Sequence, residues 1–124
     1  MKIQLHEWKV KNLTFSIKQN APTKDNNFQL SFGHTFNPDN SHEFVIGFKI
    51  GIEEEAFDLN IEMVFVFQLD TEIDEEFKNS PFLKINAPAI AFPYIRSYIS
   101  SFTLQSGFNP VILPSINFVS LNEE

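Results

Sequence analysis

Few residues in this 124-residue chain could do chemistry, and their spacing limits what that chemistry could be. The histidines are His6, His34 and His42. His34 and His42 flank a turn over Asn37-Pro38-Asp39-Asn40-Ser41 and could lie diagonally across two strands. A metal there would need further ligands, yet Glu43 alternates away from His42 and Asp39 sits in the turn. Ordinary edge-of-sheet histidines are expected, and no metal. Acids cluster as Glu53-Glu54-Glu55 and Asp74-Glu75-Glu76, runs that read as solvated turns rather than paired catalytic carboxylates. Arg96 stands alone, where a salt bridge or an inter-subunit contact is the expected role. Cysteine is absent, which removes disulfides, thiol nucleophiles and most zinc sites together. No glycine-rich phosphate loop, nucleophile elbow or histidine pair at helical ligand spacing occurs. The expectation is a protein that is not an enzyme and needs no cofactor.

What the chain has in quantity is apolar side chain. Fifteen residues are Phe, well above average usage, in a composition that is otherwise ordinary at 43% hydrophobic. A chain of this length makes one domain, residues 1–124, and buries only about two-thirds of its unfolded surface. The excess reads either as a Phe-heavy core or as exposed apolar surface for self-association or binding. The net charge of −7, without a basic cluster, argues against nucleic acid and anionic membrane as partners. The stretch Met1–Glu7 lacks the apolar core of a signal peptide, and no apolar run reaches membrane length. A cytoplasmic protein without membrane insertion is expected.

The elements that must position these side chains are read from periodicity. Ile3 and Leu5 alternate, then Trp8 and Val10, then Leu13, Phe15 and Ile17. The parity switches at His6-Glu7 and at Lys11-Asn12, as in one long strand with two bulges, because a bulge moves the inward face by one residue. Gln19–Asn27 is a polar loop. Phe28, Leu30, Phe32 and Phe36 mark a second strand, with His34 at its one polar inward slot. Phe44–Ile52 and Phe57–Leu69 alternate without fault and mark two more. The outer face carries Glu43, Lys49, Glu53, Asp58, Asn60, Glu62 and Gln68, while Val45, Val64 and Val66 suggest that part of it is covered. A short helix is expected near Ile73 and Phe77, ended by Pro81. The fold class is therefore α+β: a four-stranded antiparallel meander with one long helix packed beside it.

That helix lies within Asn86–Gly107, the one long segment with helical periodicity. Ala91, Ile95, Ile99 and Phe102 form its apolar stripe, with Tyr94 and Tyr98 beside it. Asn86 suits an N-cap, with Pro88 just inside. Pro93 lacks an N–H, so the helix either starts near Phe92 or kinks there. Gly107 supplies the stop, and Pro110 and Pro114 then hold Phe108–Phe118 extended.

Ala87-Pro88, Phe92-Pro93-Tyr94, Arg96, the Ser/Thr-bearing helix, then Gly107-Phe108-Asn109-Pro110 and Leu113-Pro114-Ser115-Ile116-Asn117-Phe118 together resemble the SecB family of export chaperones. The match is in order and nearly ungapped over 87–118, and Lys11–Ser16 is similar to that family's first-strand segment. The resemblance implies a SecB-like fold, assembled as a homotetramer (a dimer of dimers) that packs through the main helices. It also implies long apolar grooves that hold unfolded or precursor polypeptides. On that basis Tyr94, Phe102, Phe108, Ile112, Leu113 and Phe118 are expected to line the client groove, and Ile95, Tyr98 and Ile99 the oligomer interface. Family members also carry acids that dock the SecA motor. Glu62 matches one, but Asn12 and Ser16 are neutral, and the second helix and tail shrink to Val119–Glu124. Polypeptide holding is therefore implied more firmly than SecA docking, and a branch serving toxin–antitoxin clients fits as well.

Two other functions compete on the residues alone. One is a small-molecule or lipid-binding domain with an apolar cavity between sheet and helix. The other is a structural adaptor that uses its apolar patches to self-assemble. A tetramer in solution favours the first-named chaperone, and a monomer the cavity.

Overall fold

Alternating sequence produces the strands it predicts: β1 (Ile3–Ile17), β2 (Asn27–Phe36), β3 (Glu43–Glu53) and β4 (Phe57–Leu69). They are seen in a computed structural model that describes residues 2–18 and 27–122, so the loop predicted over 19–27 lies, but for Asn27, outside the described residues. The chain divides into two compact units, Met1–Glu72 and Ile73–Glu124.

The first unit is one antiparallel sheet in the order β1-β4-β3-β2. The predicted meander holds for β2, β3 and β4, whereas β1 lies on the far side of β4, which is a Greek-key order. The strand lengths match this order. β1 has 15 residues and β4 has 13, against 10 in β2, so pairing with β4 leaves fewer of β1's backbone groups without a partner. The β1–β4 register slips between Leu5 and Glu7 and between Val10 and Asn12, which makes His6 and Lys11 the extra residues of two bulges. Both bulges fall where the parity switches. Ile3, Leu5, Trp8, Val10, Leu13, Phe15 and Ile17 consequently all oppose the apolar row Leu69 to Phe57.

That apolar face is unevenly covered. Its positions on β3 and β4 are buried from Phe44 to Ile52 and from Phe57 to Leu69. Phe44 stacks on Phe67 with ring centroids 5.0 Å apart, and Phe48 meets Phe65 edge-on at 5.6 Å. Both geometries suit the aromatic quadrupole and add to the burial. On β1, Trp8, Val10 and Ile17 remain exposed. The opposite face carries cross-strand rows, of which Asn12–Glu62–Lys49–Ser31 spans all four strands.

The second unit is helical. α1 (Glu75–Lys78) follows Asp74, whose Oδ1 accepts the Phe77 N–H at 2.8 Å, and its Phe77 is buried. A π-helical turn over Phe82–Asn86 runs directly into α2 (Ala87–Gln105), and α3 (Phe118–Asn122) is the last element. α2 neither starts at Phe92 nor takes Asn86 as a side-chain cap. The preceding turn already supplies acceptors, since the Ile85 N–H donates to Pro81 O and the Ala87 N–H to Phe82 O, so no orphan donor calls for a cap. Pro93 lies inside the helix and leaves the Ala89 carbonyl without its usual donor. Both residues face solvent, where water can serve that carbonyl. The helix ends as predicted at Gly107, which takes φ 99°. The Phe108 N–H donates to Thr103 O and the Gly107 N–H to Leu104 O, each at 3.1 Å, the paired bonds of a Schellman stop. No helix among the described residues is long and apolar enough to cross a membrane.

Candidate functional site

The side chains of α2 divide into two rows. Ala87, Ala91, Phe92, Ile95, Ile99 and Thr103 are buried, while Ile90, Tyr94, Tyr98 and Leu104 are exposed. The apolar stripe of the sequence is real, but it is covered within the single chain. Ile95 and Ile99, expected at an oligomer interface, have no exposed surface and so offer nothing to a partner. Phe102 is half-buried rather than part of the buried row, and it stacks on Tyr98 with centroids 6.2 Å apart and planes at 20°. Arg96 is half-buried.

Beyond Gly107 the chain runs back along its own helix. Ser100 Oγ donates to the Val111 carbonyl at 2.7 Å, and the Val111 N–H donates to Thr103 Oγ1 at 2.9 Å. Thr103, the one polar side chain in the buried set, donates its hydroxyl hydrogen bond to Ile99 O at 2.8 Å. That buried hydroxyl thus has both its donor and an acceptor site engaged, as its position requires. The six residues expected at a client groove separate by exposure. Leu113 and Phe118 are buried, Phe118 with its ring edge-on to Phe92 at 5.9 Å, and they belong to the core. Phe102 and Phe108 are half-buried, Tyr94 is exposed, and Ile112 is 70% exposed.

Sequence reasoning missed four exposed apolar residues of this unit: Ile90, Leu104 at 58%, Val119 and Leu121. Ile90 could have been found, since it precedes Tyr94 by one helical turn. Val119 and Leu121 had no such signal. Asn117 Oδ1 caps α3 by accepting from the Val119 and Ser120 N–H groups, and that short helix sets which side the two residues face.

The residues of the expected motor-docking face lie together on the sheet. Asn12 is directly opposite Glu62, and Ser16 is opposite Asp58 on the same pair of strands. Lys18 Nζ reaches Asp58 Oδ1 at 3.1 Å and the Glu54 carbonyl at 2.9 Å, which engages the acid beside Ser16. A shallow trough of about 430 Å3 there is lined by Asn12, Thr14, Gln29, Ser31, Lys49 and Glu62 among others. Its lining mixes polar and apolar surface in nearly equal parts, unlike the apolar cavity of the competing small-molecule reading. His34 opposes Ile46 on β3, and His42 Nδ1 lies 3.2 Å from Leu69 O. Among the described residues no three histidine and acidic side chains are grouped as a metal would need.

The comparisons agree with this geometry. The family described as SecB, preprotein translocase subunit, matches residues 3–124. A protein-export protein SecB of Roseobacter denitrificans is 38% identical over 65 residues, which is 52% of this chain and 38% of that protein. An uncharacterised protein of Methanocaldococcus jannaschii is 29% identical over 122 residues, covering 90% of this chain and 77% of its own. The chain thus spans well under half of the Roseobacter protein's length. Among solved structures, a Mycobacterium tuberculosis SecB-like chaperone in complex with a ChAD peptide from the HigA1 antitoxin superposes with a TM-score of 0.71. That pair is 15% identical, and the match covers 93% of this chain and 88% of the other, a likeness of fold. With a family match over nearly its whole length, the same four-stranded sheet and long helix, and the Phe-Pro-Tyr and Leu-Pro-x-Ile-Asn-Phe blocks in place, this chain belongs to the SecB family.

Proposed function

We propose that the protein is a holdase chaperone that binds non-native polypeptides through the exposed apolar surface of its helical unit, without nucleotide and without chemistry. One observation carries the reading: Ile90, Tyr94, Tyr98, Leu104, Ile112, Val119 and Leu121 all stand exposed in a unit of about fifty residues. Apolar surface so concentrated marks a site of association. Burying it gains about 25 cal/mol per Å2 and asks for no fixed sequence, which suits a client defined by being unfolded. The exposed α2 residues Ile90 and Tyr98 serve assembly into a dimer of dimers, and Tyr94, Phe108, Ile112 and their neighbours hold the client. The protein works in the cytoplasm. The antitoxin peptide held by the mycobacterial relative supports a dedicated client of the same kind here. SecA docking is weak, because only Glu62 of the three docking positions is acidic.

The test is suppression of aggregation. A chemically unfolded substrate diluted with stoichiometric protein should stay soluble. The double variant Phe108→Ser, Ile112→Ser should lose that protection while keeping its sedimentation coefficient. The effect should vary little with salt, since apolar burial rather than charge carries it. Several unfolded substrates aggregating at control rates in the presence of wild-type protein would end the reading.

A further inference from the structure

The two hydrogen bonds to Val111 have a directional effect. In extended backbone the N–H and C=O of one residue point to the same side, and those of the next residue point to the opposite side. Both groups of Val111 are taken by hydroxyls one turn apart on α2, Ser100 below and Thr103 above. The flanking prolines act in the same sense, because Pro110 and Pro114 fix their own φ, and the residue before each is pushed toward extended conformations. Ile112 therefore follows with its backbone groups turned away from the helix and its side chain 70% exposed. Among the described residues no backbone hydrogen bond engages its N–H.

We propose that Ser100 and Thr103 are positioning residues for client capture: by occupying both backbone groups of Val111, they present the Ile112 N–H and C=O as a one-residue edge on which an extended, uncharged polypeptide pairs. This rests on the polypeptide-holding reading above and adds to it a main-chain contact. Such a contact is indifferent to client sequence, as main-chain pairing is wherever a peptide adds to an exposed edge. It also limits itself. Pro110 and Pro114 have no N–H, so pairing cannot propagate as a ladder, and a client held there stays exchangeable. The uncharged run Gly107–Phe118 around Ile112 fits a client segment free of charge.

The test uses the full chain and a fluorescein-labelled peptide of alternating valine and threonine, followed by anisotropy. Ser100→Ala and Thr103→Val should each weaken binding about five- to tenfold, the effect of one or two lost hydrogen bonds, and Ser100→Thr and Thr103→Ser should restore it. A second pair of variants leaves the helix untouched. Ile112→Ala trims the side chain and keeps the N–H, whereas Ile112→Pro removes the N–H and keeps the preceding residue extended. Ile112→Pro should bind about tenfold more weakly than Ile112→Ala. Equal affinities for those two, or wild-type affinity in both hydroxyl variants, would overturn the proposal and leave the holdase reading standing. A peptide that wild-type protein fails to bind at all would remove both.

Discussion

The two rows of α2 can be separated by a pair of substitutions one residue apart. Ile99 has no exposed surface in the single chain, and Tyr98 beside it is exposed at 37%. Ile99→Ala removes buried carbon atoms and leaves a cavity, a change that costs about 2–5 kcal/mol in packed cores. For a domain of this size, at about 4 °C per kcal/mol, that lowers the melting temperature by roughly 8–20 °C. Tyr98→Asp acts elsewhere. Within the chain it loses only the stack on Phe102, about 0.5–1.5 kcal/mol. In a symmetric assembly built on this face it brings like charges together at a contact repeated by symmetry. Urea unfolding followed by circular dichroism, at one fixed dilute concentration, reads the first effect without the contribution of association. Sedimentation velocity at higher concentration reads the second. Ile99→Ala should lower the urea midpoint and leave the folded protein's sedimentation unchanged, and Tyr98→Asp should lower the midpoint less and shift sedimentation toward smaller species. If Ile99→Ala keeps the wild-type midpoint but shifts sedimentation, the division into a core row and an assembly row is wrong.

Further outcomes follow at three positions already described. Gly107→Ala forces a Cβ onto a residue with φ 99° and should cost about 1 kcal/mol in urea unfolding, although nothing within 4 Å would touch the new atom. Asn12→Asp places an acid directly opposite Glu62 and should destabilise the sheet by roughly 0.2–1 kcal/mol. Calorimetry with purified SecA should show any residual docking strengthened by that same change. Lys18→Ala breaks the contacts to Asp58 and Glu54 at a partly exposed site, so its cost should stay within about 1 kcal/mol and shrink as salt is added.

How much of this was legible in the sequence depends on which physical quantity sequence carries. Parity carries the inward face, so both β1 bulges could be placed to a residue pair, His6-Glu7 and Lys11-Asn12, within which the register singles out His6 and Lys11. Parity says nothing of which strand lies alongside, and β1 could be given to β4 only by comparing strand lengths. Helical spacing likewise found the stripe through Ile95 and Ile99 but not what covers it, and a buried stripe looks the same whether its own chain or a partner does so. Pro93 allowed either a helix start near Phe92 or a kink there, because proline lacks the N–H that a helix interior uses. The π-helical turn before Ala87 extends the helix upstream, and solvent around Ala89 serves the carbonyl that Pro93 leaves without a donor. Of the six groove residues, Leu113 and Phe118 went to the core, since proline fixes backbone direction and leaves side-chain burial to the packing around it.

The Greek-key order has a consequence in time. β2, β3 and β4 are joined by short turns and can zip from neighbour to neighbour, but Ile3 must find Leu69 across almost the whole sheet-forming sequence. Contacts so distant along the chain close slowly, because the loop entropy is lost before the pairing is gained. The strand synthesised first is therefore expected to dock last, which leaves the long, apolar β4 as an unprotected edge until it does. On that order of events each new molecule would present an unfolded segment beside an open strand, the very state in which it is proposed to hold others. Copies already folded are then the nearest available holdase, so refolding yield should rise when folded protein is added beforehand.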